Sequence, residues 1–312
     1  MVNIEYQNDL LDEIENYFFY SLENAKTPIL AHYTSPEGLI SILTNRALWF
    51  SKWNLLNDRS EGNHAFKILK EVLGKYESSF CVQVGALCAN LEPEIFSDIT
   101  NGEIDFDCRE NDLSFVCCFS TNKDSLPMWN YYTKTDNSIG YNIVFDSRKL
   151  IDNIFPRADE FYFIPVICNV LYKEKKQKAA IKRIVDVFYE VWKDADECYK
   201  HSILERLVYL IDDIRFLFKH PAFEPEQEVR IVLRVSKHNF QKGIKSNKIS
   251  VRRKDGYFIP YIPLNCVLSD AIKEIWISPN NDGKGVVDGV NDLLQCLSIK
   301  AKVRPSQIPL RY

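Results

Sequence analysis

The sequence lacks the short motifs that define several large enzyme classes. It contains no G-x-G-x-x-G, no Walker A motif, no H-E-x-x-H and no G-x-S-x-G. These absences argue against a classical dinucleotide-binding Rossmann domain, a P-loop nucleotidase, a zinc metalloprotease and an α/β-hydrolase. C-x-x-C is also absent, so the common cysteine signature of zinc sites is missing.

The chain also lacks a large excess of charge and a long apolar run. Its net charge is −4 over 312 residues, which argues against a protein that binds nucleic acid through its overall charge. Two basic stretches remain, Lys173–Arg183 and Lys242–Lys254, and each is either a solvated face or a contact for phosphate. No apolar run reaches the length of a transmembrane helix.

The cysteines do not form a pairing pattern. There are nine, an odd number, and Cys117 and Cys118 are adjacent within an apolar run. This usage predicts reduced thiols rather than a disulfide framework. The first residues carry acidic side chains where a secretory signal would carry basic ones. We therefore expect a cytoplasmic protein.

The order of apolar patterns predicts one mixed domain. No internal repeat and no Gly-, Ser- and Pro-rich linker interrupts residues 1–312. Short strand patterns such as Ile29–Tyr33 and Val229–Val235 surround longer helical patterns. We expect a single α+β domain with a mixed, mostly antiparallel central sheet, and with helical insertions at 60–111 and 174–219.

The most informative segment runs from Glu224 to Leu233. It contains Glu226-x-Glu228-x-Arg230, and alternation along a strand would place these three side chains on one face. Two carboxylates at the start of a strand can stabilise a cationic transition state. The alternative is a structural cluster in which the arginine neutralises buried carboxylates.

Three further polar clusters are candidates, and each has a plain structural explanation. His32-Tyr33-Thr34-Ser35 ends a strand, where it can bind a ribose or simply cap the next helix. In Leu55–Glu61, Asp58 and Glu61 either face a pocket or belong to a turn and a helix start. Trp129 and Tyr132 are three apart on a short helix, where they can stack on a flat ring or fill the core.

Taken in order, these segments resemble a bacterial family known as domain of unknown function 2971. The resemblance spans about Ile29 to Ile277. It rests on six anchors, which are His32–Ser35, Leu48–Ser51, Leu56–Glu61, Phe119–Tyr132, Gly140–Asp146 and Lys219–Arg230. This family name implies no activity.

A second, more distant resemblance does imply an activity. A histidine ending the first strand, a helix directly after it, a mid-chain aromatic residue and a late E-x-E resemble the His-Tyr-Glu class of ADP-ribosyltransferase folds. That class implies an enzyme that consumes NAD by ADP-ribosyl transfer or glycohydrolysis, such as a toxin or phage-defence effector. Glu228 would be the catalytic carboxylate, with Glu226 contacting the acceptor or water, and the acceptor would be a protein or nucleic acid.

The same resemblance implies a set of NAD contacts. His32 would contact a ribose hydroxyl, with Thr34 beside it. Trp129, Tyr131 or Tyr132 would stack on the nicotinamide. The full set assigned to NAD is His32, Tyr33, Thr34, Ser51, Ser120, Trp129, Tyr132 and Arg230.

Two other functions stay open from the sequence. One is a metal-dependent nuclease in which Asp58, Glu61, Glu226 and Glu228 hold Mg²⁺ and the basic stretches hold the phosphate backbone. The other is a non-catalytic domain that senses a nucleotide or binds a partner.

Overall fold

A computed structural model describes residues 27–55, 61–96, 112–132, 139–159, 164–254, 256–265, 268–279 and 284–309. The apolar spacing of Asp9–Asn24 predicts a helix, and this segment lies outside the described residues. The chain divides into two compact units. One comprises residues 1–24, 56–111 and 168–223, and the other comprises 25–55, 112–167 and 224–312.

The first unit is built from amphipathic helices. They are α2 (Glu61–Leu73), α3 (Ser78–Leu91), the short α4 (Pro93–Phe96), α7 (Glu174–Asp194) and α8 (Glu197–Ile214). Ile181, Ile184, Val185 and Phe188 recur at helical spacing along α7, and all four are fully buried. The predicted helical ranges 60–111 and 174–219 therefore supply the helices of this unit.

The second unit is a sheet with helices packed on it. Its strands are β1 (Ile29–Thr34), β2 (Ala47–Lys52), β3 (Asp112–Ser120), β4 (Tyr141–Asp146), β5 (Ile164–Asn169), β6 (Glu228–Ser236), β7 (Ser250–Lys254), β8 (Tyr257–Asn265), β9 (Ile272–Ile277) and β10 (Lys302–Pro305). Its helices are α1 (Pro36–Asn45), α5 (Leu126–Tyr132), α6 (Ser147–Asp159), α9 (Lys237–Lys245) and α10 (Lys284–Cys296).

The sheet is mixed and mostly antiparallel, as the sequence predicted. The strand order among the described residues is β10-β9-β4-β1-β3-β2-β8-β7, with β6 pairing with β3 and with β5. The β9–β10 pair is parallel, whereas β1–β4, β3–β6, β2–β8 and β7–β8 are antiparallel.

Apolar side chains bury both faces of this sheet. The larger core lies on the face that carries Leu30, Phe50 and Phe119, where α1, α6 and α10 pack. A smaller cluster on the opposite face joins Tyr33, Trp129 and Trp276. We call the face of Leu30 the helix face and that of Tyr33 the polar face, because the latter also carries most of the candidate polar residues.

Candidate functional site

The E-x-E segment contains a turn that the sequence did not reveal. Glu226 ends a 3₁₀ turn, Pro221–Glu226, and Glu228 begins β6. Gln227 between them has a left-handed backbone with φ of 44°, and its NH donates to the carbonyl of Glu224. Strand alternation therefore does not relate Glu226 to Glu228, and the prediction that all three side chains alternate onto one strand face is wrong for Glu226.

Glu228 and Arg230 form a buried ion pair. Arg230 Nε donates to Glu228 Oε1 at 2.9 Å, and Nη2 donates to Oε2 at 2.7 Å. The two side chains are only 5% and 4% exposed. Such a two-pronged pair at low dielectric fixes both groups, and removing one partner destabilises the buried charge of the other. Both oxygens of the predicted catalytic carboxylate are therefore already held by the protein.

The register places the predicted serines on the same face as this pair. Ser120 lies opposite Glu228, and Cys118 lies opposite Arg230, in the β3–β6 ladder. Ser51 lies opposite Val116, two residues along the same face of β3. Partners in an antiparallel pair share a face. The polar face therefore brings together Ser51, Ser120, Glu228 and Arg230.

His32 leaves β1 on the opposite face. Its neighbour Ala31 pairs with Ser120, so alternation turns His32 toward the helix face, where its ring lies 5.5 Å from that of Phe119. The sequence-based expectation that His32 and Glu228 converge on one pocket is therefore wrong. Two side chains on opposite faces of the sheet do not both contact a ligand that is bound on one face.

The His32 ring occupies a branch point in the sheet. One edge of β3 pairs with β1 at Ser120 and with β2 at Val116, and His32 Nδ1 lies 2.9 Å from the carbonyl oxygen of Cys118 between them. A carbonyl only accepts, so Nδ1 carries the hydrogen. Burial lowers the pKa of His32, with the charge of Arg252 adding to the effect, so the ring is neutral near pH 7.

The rest of the His32–Ser35 cluster starts α1. Ser35 is the N-cap, and its Oγ accepts from the NH of Gly38 at 3.2 Å. A Cβ on Gly38 would lie 2.0 Å from Thr34 Oγ1, so glycine is needed for this approach. Thr34 and Ser35 therefore have a helix-starting role, the plain explanation of that segment.

Two of the aromatic residues assigned to NAD are part of a closed network on the polar face. Trp129 is 1% exposed, and its Nε1 donates to Asp124 Oδ1 at 2.8 Å. Tyr33 packs edge-on against Trp129, donates to the carbonyl of Asn122 and accepts from the NH of Ser125. Burial raises the pKa of Tyr33. Neither ring offers a face to a ligand.

The two other candidate rings are those of Tyr131 and Tyr132. Tyr131 on α5 is 59% exposed. The side chain of Tyr132 lies outside the described residues, so its assignment stays a prediction.

A second aromatic site on the polar face was missed from the sequence. The rings of Trp49 on β2 and Tyr261 on β8 lie 4.4 Å apart and are tilted by 30°. Arg252 of β7 lies 5.9 Å from the Trp49 ring, and its Nη2 donates to Ser51 Oγ at 2.9 Å. All three large side chains are half-buried. We call Trp49, Ser51, Arg252 and Tyr261 the arginine–tryptophan site.

The sequence contained an ambiguous signal for the arginine–tryptophan site. Arg252 belongs to the basic stretch Lys242–Lys254, and Ser51 was already a candidate. The pairing of β2 with β8 and of β8 with β7 brings them together, and this pairing is non-local. No spacing rule within one segment predicts it.

The carboxylates invoked for a nuclease are not assembled in the described part of the chain. Asp58 and the side chain of Glu61 lie outside it. Within it, no group of three or more His, Cys, Asp or Glu side chains is placed to hold a metal ion. The seven cysteines that the structure describes are free thiols, while Cys108 and Cys266 lie outside.

Comparisons with known proteins show similarity to one family over part of the chain. The sequence model of a family described as "Protein of unknown function (DUF2971)" matches residues 128–231, a segment that includes Trp129, Glu226, Glu228 and Arg230. The predicted resemblance to that family is confirmed over this segment. No curated protein and no solved structure matches the chain. Among the helices described, none is both long and apolar enough to span a bilayer.

Proposed function

We propose that this chain binds a nucleotide at the arginine–tryptophan site, the binding function that the sequence left open. The proposal rests on the surroundings of the Nε atom of Arg252. This atom is buried without a hydrogen-bond acceptor among the described residues, although the same guanidinium donates to Ser51 through Nη2. A buried donor without an acceptor is costly, and an anionic ligand would satisfy it.

The surrounding groups suit a nucleotide. A guanidinium presents a planar set of donors that matches phosphate oxygens. The half-buried rings of Trp49 and Tyr261 offer an aromatic surface on which a base can stack. Burial lowers the pKa of Arg252, which records the cost of keeping this cation partly desolvated.

NAD is the nucleotide to test first, because it is the ligand that the sequence resemblance implies. Isothermal titration should show NAD binding to the wild-type chain and not to Arg252→Leu or Trp49→Ala. Arg253→Leu is the matched control, since Arg253 is the exposed next residue of the same strand. A ligand at 100 times its Kd should also raise the unfolding free energy by about 2.7 kcal/mol. Equal binding by Arg252→Leu and wild type would reject the site.

A second candidate function is cleavage of NAD, as the resemblance to ADP-ribosyltransferases implies. It is favoured by the common face of Ser51, Ser120 and Glu228. A carboxylate there would stabilise positive charge on the ribose as the bond to nicotinamide breaks. For this, Arg230 would have to release at least one oxygen of Glu228, and His32 could not contribute from the helix face.

Nicotinamide release measures the second candidate directly. Wild-type protein incubated with NAD should release nicotinamide if Glu228 acts on the ribose, and Glu228→Gln should abolish release in the fraction that stays folded. Binding without release by the wild type would leave nucleotide binding as the function and remove cleavage. The cytoplasmic location, the protein or nucleic-acid acceptor and the toxin or phage-defence role stay predictions from the sequence.

A further inference from the structure

The hairpin of β7 and β8 exposes apolar and aromatic side chains to solvent. Val251 is 59% exposed, Tyr257 54% and Phe258 73%. Arg253 lies opposite Phe258 in the ladder, and Val251 is two residues before Arg253, so Val251, Arg253 and Phe258 share one face. Gly256, with φ of 84°, forms part of the turn between the strands.

Basic residues concentrate around this hairpin. Residues 237–258 carry seven Lys or Arg and one Asp, a net charge of +6, whereas the whole chain carries −4. The remainder of the chain is therefore strongly acidic. Arg252 of the arginine–tryptophan site is one of these seven cations, and the positive charge of the other six suits a polyanionic partner.

Helix α9 packs closely on the residue that leads into the hairpin. Gly243 of α9 packs so closely on Ile249 that an added Cβ would lie 2.8 Å from Ile249 Cδ1, and β7 begins at the next residue. Lys245 and Ile244 of α9 are exposed beside this contact, Ile244 by 49%. We call Ile244, Lys245, Val251, Arg253 and Phe258 the basic hairpin surface.

We propose that the basic hairpin surface binds single-stranded nucleic acid. Proteins that hold single strands combine cations along the phosphate backbone with aromatic rings on which unpaired bases stack. Phe258 supplies an exposed ring, and Lys245 and Arg253 supply exposed cations. A duplex keeps its bases stacked inside, so it could use only the cations. The proposal does not depend on nucleotide binding at the arginine–tryptophan site.

The test uses fluorescence anisotropy with a labelled 20-nucleotide oligo(dT), oligo(rU) and a 20-base-pair duplex, without NAD. We expect the full chain to bind the single strands at least tenfold more tightly than the duplex. The logarithm of the binding constant should fall with the logarithm of salt concentration, by about 0.7 per phosphate contact. A flat salt dependence would overturn the proposal.

Two variants locate the surface, and each has a matched control. Phe258→Ala should weaken single-strand binding about tenfold, while Tyr199→Ala, at an aromatic residue 44% exposed on α8, should not change it. The double variant Lys245→Glu and Arg253→Glu should weaken single-strand binding further. It should also make the binding constant less dependent on salt concentration. The pair Lys300→Glu and Lys302→Glu, also at exposed lysines, should leave both unchanged.

Three further outcomes would overturn the proposal. They are no binding at low salt, equal losses in the test and control variants, and binding to vesicles containing phosphatidylserine in the absence of oligonucleotide binding. The last would assign the surface to an anionic lipid instead. All these positions are exposed, so circular dichroism should confirm that every variant folds as the wild type does.

Discussion

Two arginines on the polar face of one sheet have opposite surroundings. Arg230 is 3% exposed and uses Nε and Nη2 to hold both oxygens of Glu228. Arg252 is half-buried, donates to a neutral serine through Nη2 and has no acceptor for Nε among the described residues. A charge that the protein itself neutralises serves the fold, whereas we propose that Arg252, with its open donor, is available to a ligand.

The largest effect on the free energy of unfolding should come from breaking the ion pair between Arg230 and Glu228. Glu228→Gln removes a buried carboxylate that holds Arg230 through two hydrogen bonds, and we expect a loss of about 3–5 kcal/mol in the free energy of unfolding. Urea denaturation followed by circular dichroism measures it. Replacing both partners, Glu228→Leu with Arg230→Met, should recover most of the loss.

The control for this prediction is Glu190→Gln on α7, which removes a carboxylate from an exposed pair with Lys193. It should cost less than about 1 kcal/mol. If Glu228→Gln were as stable as the wild type, the pair would not be structural, and the contrast between the two arginines would fail.

Trp129 and Trp49 on the polar face differ in the same way, one buried and one half-buried. Replacing either should change the free energy of unfolding less than breaking the ion pair. Trp129→Phe removes buried volume and the hydrogen bond to Asp124, so we expect a loss of about 2 kcal/mol. Asp124 keeps Ser306 and the NH of Gln307 as partners, which limits the loss. Trp49→Phe, at a half-buried ring, should cost about half as much. Thermal and urea unfolding compare the two, and equal losses would contradict the difference in their roles.

The pH dependence of stability tests the branch point at His32. Because burial lowers its pKa in the folded state, the unfolded chain binds the proton more readily. The unfolding free energy should therefore fall as the pH drops below about 6.5, by at most about 1.4 kcal/mol per pH unit. Unfolding curves between pH 8 and 5 should show a shallower decline for His32→Gln than for the wild type. Parallel profiles would show that His32 is protonated equally in both states.

The smallest effect on stability should come from Arg252. Arg252→Leu loses one hydrogen bond to Ser51 but also removes a buried donor without an acceptor, so the two changes offset each other. We expect the free energy of unfolding to change by less than about 1 kcal/mol in either direction, measured by urea denaturation without ligand. A loss comparable to that of Glu228→Gln would place Arg252 among the structural residues.

Local signals in the sequence predicted much of the fold. The cluster ending in Ser35 predicted the cap of a following helix, and Ser35 is the N-cap of α1. Val229–Val235 predicted the interior of β6, and the helical range 174–219 predicted α7 and α8. These elements follow from periods of two and 3.6 residues and from capping, which act within a few residues of chain.

The elements and site residues that were missed depend on contacts between distant segments. β7 and α9 lie in the basic stretch Lys242–Lys254 and just before it, where exposed Val251 and Ile244 leave no regular apolar pattern. Gln227 gave no sign of the left-handed turn that separates Glu226 from β6, because glutamine rarely adopts it. The opposite faces of His32 and Glu228 follow from the pairing of Ala31 with Ser120, which the sequence does not encode locally.

The hydrogen bond from His32 to Cys118 bears on how this sheet can tolerate insertions and deletions. Both β1 and β2 approach the same edge of β3, yet a side chain, not a third backbone pair, takes the carbonyl between them. A backbone ladder would tie the two strands to one register, since a slip in one shifts every later pair. A ring on a rotatable bond carries no such constraint. The imidazole therefore adds no third register constraint, and an insertion between β1 and β2 would have to preserve only the two backbone pairings of β3, Ser120 with Ala31 and Val116 with Ser51.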